Sequence, residues 1–144
     1  MNEQEIFRQK APHYLLCFID SCPLHATCLH WLCGQEGPAD EHTVSSVNPR
    51  HPDYGTDHCP CYREHQVVRH AKGMVHFFDD MPRRMETAVK RRLIGLYSRK
   101  VFYEYRNGSR LISPAMQQQI ARICQEEGWT EEPRYDDWQD DYLW

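Results

Sequence analysis

The chain has 144 residues, of which 40% are hydrophobic and 26% are charged. These values are typical of a globular domain and exclude collagen-like or grossly disordered chains. No apolar run approaches the roughly 20 residues that a membrane span needs, and the short apolar stretch near the N-terminus is no secretory signal. We therefore expect a cytoplasmic protein with no membrane partner.

The net charge of −4 conceals three segments of alternating sign. Residues 1–62 carry 3 basic and 8 acidic side chains, residues 63–110 carry 12 and 5, and residues 111–144 carry 2 and 8. We expect the basic middle either to bind an anionic partner or to neutralise the acidic ends.

Residues 1–66 hold six of the seven cysteines and are predicted to form a cysteine-rich lobe. A proline at a favoured first position and the apolar residues after it predict a short helix over 23–33. Residues 36–56 contain three prolines, one of them Pro38, and little periodicity, which predicts a long irregular loop. A metal ion holding both ends of that loop would anchor it.

Residues 67–129 are predicted to form a helix, a β-hairpin and a second helix. Apolar side chains recur every three or four residues over 82–96, which is the spacing of an amphipathic helix. An Asn-Gly pair at 107–108, between two runs rich in aromatic and β-branched residues, predicts a hairpin over 100–113. A Ser-Pro pair then starts the last helix, which should end at Gly128.

The acidic tail, residues 130–144, carries aromatic and aliphatic side chains that a disordered tail would lack. These residues are Tyr135, Trp138, Tyr142, Leu143 and Trp144. We expect the rings to pack on the domain and the tail to contact the basic segment 83–110. The predicted fold is thus a small α+β single domain spanning residues 1–144, with Cys124 in its core.

The clustered cysteines indicate a metal site, because their number is odd and no export signal suggests a disulfide framework. A tetrahedral ion needs four thiolates or a mixture of cysteine and histidine. On one helix, Cys28 and Cys33 would lie about 140° apart around the axis, and the thiols of Cys59 and Cys61 are too close in sequence to aim easily at one ion. The preferred ligands are therefore Cys17, Cys22, Cys28 and Cys59, with Cys33 and Cys61 as extra thiols.

Zinc is the preferred metal, although the spacing of the cysteines does not dictate it. The two Cys-Pro pairs are also consistent with an iron–sulfur cluster. A third possibility is that no metal binds and the cysteines are buried or form disulfides. His25, His30 and His58 lie near the cysteines and could replace one of them.

The leading functional expectation is a small intracellular, non-enzymatic binding or regulatory module whose structural zinc supplies folding energy. One alternative is an iron–sulfur or thiol redox protein that uses Cys33 and Cys61. No Ser/His/Asp arrangement and no glycine-rich nucleotide loop is visible. The partner, which the sequence does not identify, could be a protein or a nucleic acid.

The second alternative is nucleic-acid binding through segment 83–110, where 9 basic and 2 acidic residues alternate with aromatic ones. Tyr103 weakens this alternative, because on a hairpin it would pack against a helix. The candidate contacts are Arg83, Arg84, Lys90, Arg91, Arg99, Lys100, Arg106 and Arg110.

Several short motifs, in a fixed order, cover most of the chain from about Tyr14 onward. They are Leu16-Cys17-x4-Cys22-Pro23-x4-Cys28-Leu29, Cys59-Pro60-x-Tyr62-Arg63, Val68-Arg69-His70-Ala71-Lys72-Gly73, Arg92-Leu93-Ile94-Gly95, Ile112-Ser113-Pro114 and Asp141-Tyr142-x-Trp144. The pattern resembles a family of small proteins of unknown function from Bacteroidetes. The resemblance implies the same four cysteines as a site, whereas Cys33 and Cys61 depart from the family's pattern. It implies no activity.

Overall fold

The computed structural model describes residues 1–37 and 39–144. The described residues form five α-helices and a two-stranded antiparallel sheet, which confirms the α+β class. The chain divides into two compact units, one of residues 1–66 with 143–144 and the other of residues 67–142. None of the helices in the described part of the chain has the length and apolarity that crossing a membrane requires.

The first unit contains little regular structure. Its elements are α1 (Glu3–Lys10), two 3₁₀ turns (Ala11–His13 and His25–Thr27) and α2 (Leu29–Gln35). α1 starts with a capping box, in which the Asn2 side chain accepts from the Glu5 N–H and the Glu5 carboxylate accepts from the Asn2 N–H. Short helices of this kind depend on tertiary contacts for their stability.

The helix predicted over 23–33 is interrupted at Cys28, where the backbone is extended (φ −101°, ψ 122°). Cys28 forms an isolated antiparallel bridge with Glu64, and the Leu29 N–H donates to the Arg63 carbonyl over 2.8 Å. These bonds hold residue 28 outside the helix, so the regular helix begins one residue later.

The loop over 36–56 contains no helix or strand in its described part, which confirms that it is irregular. Pro38 lies outside the described residues. The Leu16 N–H donates to the Ser45 carbonyl, and the Val47 N–H donates to the Leu16 carbonyl, both over 2.9 Å. Backbone hydrogen bonds therefore tie the middle of this loop to the segment that carries Cys17.

The second unit is built from three longer helices and the sheet. Its elements are β1 (Val67–Lys72), α3 (Arg83–Tyr97), α4 (Arg99–Asn107), α5 (Pro114–Glu126) and β2 (Asp137–Tyr142). α3 and α5 confirm the two predicted helices, and the Ser113 side chain caps α5 by accepting from the Met116 N–H. Cys124 is 1% exposed and belongs to the core, as predicted.

The predicted hairpin over 100–113 is wrong, because most of this segment is helix α4. The Ser98 side chain accepts from the Val101 N–H at the start of the helix, and Gly108, in the left-handed conformation (φ 83°), ends it. Phe102 and Tyr105 are buried three residues apart on one helical face. The Asn-Gly pair therefore marks a helix C-terminus instead of a hairpin turn.

Residues 130–142 of the tail lie in the second unit and form β2, a strand that the sequence did not predict. The predicted packing of the rings is confirmed in part, because Trp138 remains 40% exposed. β2 pairs antiparallel with β1, with Val67 opposite Tyr142 and Lys72 opposite Asp137. Tyr135 and Tyr142 are buried. The ladder of hydrogen bonds thus joins the tail to β1, and the basic segment 83–110 supplies no strand.

Candidate metal centre

Five cysteines line one small cavity in the first unit. They are Cys17, Cys22, Cys28, Cys59 and Cys61. The cavity has a volume of about 20 Å³, which is room for one water-sized particle. Its accessible wall is apolar, with Leu24, Trp31 and Val47 among the lining residues. The structure therefore brings all four predicted ligands, and one of the two extra thiols, to the same place.

The predicted ligands are close enough to influence one another's charge. Burial raises the pKa of the Cys17 thiol, and nearby Cys28, Cys22 and Cys59 raise it further, while a backbone hydrogen bond from Ile19 lowers it. Each neighbour acts as a like charge once it ionises, so the cluster resists ionisation unless a cation joins it.

The cavity wall that carries Cys17 and Cys22 is held by backbone contacts. The Cys17 N–H donates to the His30 carbonyl of α2 over 3.1 Å. A Cβ atom at Gly34 would lie 2.7 Å from the Cys17 carbonyl oxygen. A side chain at that position would therefore displace the backbone segment that carries Cys17. The Cys22 N–H donates to the Ile19 carbonyl over 3.2 Å, which closes a turn.

The opposite wall carries Cys59 and Cys61 on one tight turn. The Tyr62 N–H donates to the Cys59 carbonyl over 3.2 Å. Cys61 is hydrogen-bonded to the side chain of Tyr54, and this bond raises the pKa of Tyr54. The Tyr62 hydroxyl lies 2.9 Å from the Thr27 hydroxyl, which ties the turn to the segment before Cys28. Sequence reasoning treated Cys61 as a spare thiol, but the turn places it beside Cys59 on the cavity.

Cys33 does not line the cavity and is fully buried. Burial raises the pKa of its thiol to about 12, Lys10 lowers it and Cys28 raises it. The predicted separation of about 140° on one helix does not apply, because Cys28 lies outside α2 and only Cys33 lies within it. Cys33 is therefore a core residue of the first unit.

Two of the three candidate histidines are already engaged by backbone carbonyls. The Nδ1 atom of His25 is 2.7 Å from the Cys22 carbonyl oxygen, and that of His30 is 2.6 Å from the Leu15 carbonyl oxygen. Burial lowers the pKa of His30 and favours its neutral form. His58 is exposed beside an aspartate and does not line the cavity. His25 and His30 line the cavity together with the thiols, and a bond at Nδ1 leaves Nε2 of His25 as a further donor.

The donor chemistry and the volume fit one soft metal ion, for which clustered thiols are the preferred ligands. Within residues 1–37 and 39–144, no group of three or more Cys, His, Asp or Glu side chains is arranged so that it could hold a metal ion. Metal binding by Cys17, Cys22, Cys28 and Cys59, which line the cavity, would therefore require their sulfur atoms to move closer together.

The predicted nucleic-acid contacts all lie in the second unit, and three of the eight cations form ion pairs with carboxylates. Lys90 lies 2.7 Å from Glu86, Arg110 lies 2.7 Å from Glu104, and Lys100 lies 4.0 Å from Glu104. The remaining five form no ion pair with any described residue. They are Arg83, Arg84, Arg91, Arg99 and Arg106.

Comparison with curated proteins and with solved structures finds no match. The model of one protein family, by contrast, matches residues 1–144. The match confirms the predicted membership in a family without a known activity, and it brings no ligand or reaction with it. The chain belongs to a family of unknown function, DUF6078.

Proposed function

We propose that the first unit holds one structural zinc ion through Cys17, Cys22, Cys28 and Cys59, and that the protein is a non-enzymatic binding or regulatory module. The observation that carries this proposal is the shared cavity, whose apolar wall surrounds the four thiols. Four thiolates around one tetrahedral ion leave no open position for a substrate, which is the arrangement of a structural site.

The size of the cavity favours a single ion over an iron–sulfur cluster. A volume of about 20 Å³ accommodates one water-sized particle. A cluster contains several iron and sulfide ions and would need the walls to move apart. Zinc is therefore the expected metal, and metal analysis distinguishes it from an iron–sulfur cluster.

A structural role follows from how little else the first unit has to hold it together. Its helices have 8 and 7 residues, below the length at which an isolated helix is stable. An ion that binds only the folded arrangement converts its binding energy into folding energy. Thiolate ligands also require a reducing compartment, so we place the protein in the cytoplasm.

The test is a metal analysis of the full chain purified without oxygen and without added metal. We expect one equivalent of zinc and no visible absorption. Replacement by Co²⁺ should produce the intense thiolate-to-metal absorption of a tetrahedral site. Visible absorption before any replacement, together with bound iron and sulfide, would show that the site holds an iron–sulfur cluster and that the zinc hypothesis is wrong.

Single cysteine variants locate the site. Cys17→Ser, Cys22→Ser, Cys28→Ser and Cys59→Ser should each abolish stoichiometric zinc, while Cys124→Ser, in the core of the second unit, should retain it. Cys61→Ser separates the two thiols of the turn and should also retain zinc. If Cys61→Ser loses the metal and Cys59→Ser keeps it, the ligand set proposed here is wrong at that position.

A further inference from the structure

Helix α4 presents an aromatic ring to solvent between basic residues. Tyr103 is 43% exposed, and its ring packs edge-on against that of Phe102, at 5.3 Å between centroids. Arg99 and Lys100 precede it by four and three residues, so they share its helical face. A hairpin would have buried this ring. The helix leaves it partly exposed between two cations, which is an arrangement that a base and its phosphates could contact.

The cations beside Tyr103 continue onto α3. Arg106, one turn after Tyr103, lines a surface groove together with Arg83. Arg83 in turn lines a second groove with Arg84 and Arg91 on the outer face of α3. A basic path therefore runs from α4 to α3. We define the basic face as Arg83, Arg84, Arg91, Arg99, Lys100, Tyr103 and Arg106.

The carboxylates near this path are occupied by other groups. Glu86 lies 2.7 Å from Lys90, and Asp79 lies 3.0 Å from the ring of His76. Glu104 binds Arg110, which is outside the basic face. Of the cations on the face, only Lys100 has a carboxylate within 4.0 Å among the described residues, and that pair is largely exposed and weak.

We propose that the basic face binds single-stranded nucleic acid, with Tyr103 stacking on a base and the flanking arginines contacting phosphates. Stacking on an aromatic ring combined with a basic track is the way in which proteins bind single strands without reading sequence. A duplex keeps its bases stacked inside and offers only their edges, so a ring on a convex helix cannot stack on them. An acidic protein would pair with the arginines but would not need the ring.

The first experiment measures fluorescence anisotropy of labelled oligo(U) of about 15 nucleotides with the full chain. We expect the single strand to bind more tightly than a duplex of equal length. If three phosphates are contacted, the affinity should fall about 20-fold between about 50 and 200 mM salt. Absence of binding at the lowest salt concentration would overturn the proposal.

Variants separate stacking from charge. Tyr103→Ala should weaken binding about tenfold, because one stacked base is lost, while Tyr103→Phe keeps the ring and should bind normally. Arg84→Ala and Arg91→Ala should each weaken binding and reduce the salt dependence. The matched control is Arg92→Ala on the same helix, because Arg92 is already paired with Glu126 and Glu127.

Two further outcomes would also reject a nucleic-acid surface. The first is equal loss of affinity in Arg92→Ala and Arg84→Ala, which would mean that net charge, and no defined face, attracts the strand. The second is binding of a polyglutamate peptide as tightly as oligo(U), with Tyr103→Ala without effect, which would identify a surface for an acidic protein. Circular dichroism of each variant establishes that the helices remain folded.

Discussion

The two units bury their side chains in different ways. Among the described residues, three of the eight buried hydrophobic side chains in the first unit are cysteines, against one of fifteen in the second. The second unit surrounds Phe102, Leu93 and Ile120 with helices of 15, 9 and 13 residues. Burial of apolar side chains is sufficient to stabilise the second unit. In the first unit, cysteine thiols occupy much of a smaller interior.

Of the three buried cysteines in the first unit, Cys22 and Cys28 line the cavity, whereas Cys33 is a core residue that does not. A buried thiol contributes less apolar area than a leucine or a phenylalanine, so a core rich in cysteine is weak unless the sulfur atoms bind something. Cys124 shows the other case, because a single thiol among isoleucines is only a small apolar group. Under the proposed zinc site, the same residue type would therefore have two different roles in one chain.

The largest expected effect comes from removing a ligand of the proposed metal site. Cys22→Ala, or a strong chelator, should unfold the first unit, since metal binding energy is folding energy there. Hydrogen exchange should become fast over residues 1–66 and stay slow in the helices of the second unit. Cys124→Ala should cost only about 1 kcal/mol. Equal melting shifts for the two variants would remove the basis for treating Cys22 as a ligand.

The rate at which Cys33 and Cys124 are alkylated in the native protein compares the stability of the two units independently. Burial raises the pKa of Cys33 to about 12 and that of Cys124 to about 11, so both are protonated and slow to react near neutral pH. After chelation, Cys33 should become reactive with its unit while Cys124 stays protected. Simultaneous labelling of both would mean that the two units unfold together.

Phe102→Ala should have the next largest effect and should act on the second unit. The side chain is 1% exposed in the centre of the core, and its truncation should cost about 3–5 kcal/mol in the free energy of unfolding by urea. Tyr103→Ala, at the next position, is the control and should cost less than about 1 kcal/mol. The reverse order would mean that the segment is not the helix described above.

The sequence was sufficient for some elements of the fold and insufficient for others, for physical reasons. α3 and α5 were predictable because their apolar periodicity, or their cap and stop residues, are local signals. α4 was not, since Asn-Gly is equally suited to a hairpin turn and to a left-handed helix end. The deciding feature, burial of Phe102 and Tyr105 on one helical face, depends on tertiary packing.

The candidate site was predictable to a similar degree. Four of the cysteines that line the cavity were predicted as ligands, but the helical argument that separated Cys28 from Cys33 was wrong, because Cys28 lies outside α2. Cys61 was not predicted on the cavity, because the turn that carries it depends on hydrogen bonds from Tyr54 and Tyr62. The pairing of β2 with β1 joins segments about 70 residues apart, which no local pattern encodes.

Asp136→Ala should destabilise the second unit by about 2 kcal/mol. Its carboxylate accepts from the backbone N–H groups of Val75 and His76, over 2.8 and 3.0 Å, and ties the bend after β1 to the residue that precedes β2. Asp140→Ala, an exposed change of the same charge on β2, is the control and should stay within about 0.5 kcal/mol. Urea unfolding measures the free energy of unfolding of both variants. Equal losses would show that removal of a negative charge, and not loss of the two hydrogen bonds, causes the destabilisation.

The smallest expected effect has the opposite sign and compares a helical glycine from each unit. A Cβ atom at Gly95, on the exposed side of α3, would meet nothing within 4 Å, so Gly95→Ala should stabilise the second unit by about 1 kcal/mol through helix propensity. Gly34→Ala makes the same change in α2, but its Cβ would lie 2.7 Å from the Cys17 carbonyl oxygen. That variant should lower both the melting temperature and the zinc content, because the Cys17 segment must move. If Gly34→Ala retained stoichiometric zinc and raised stability as Gly95→Ala does, the close contact between α2 and Cys17 would not be what positions the cysteines.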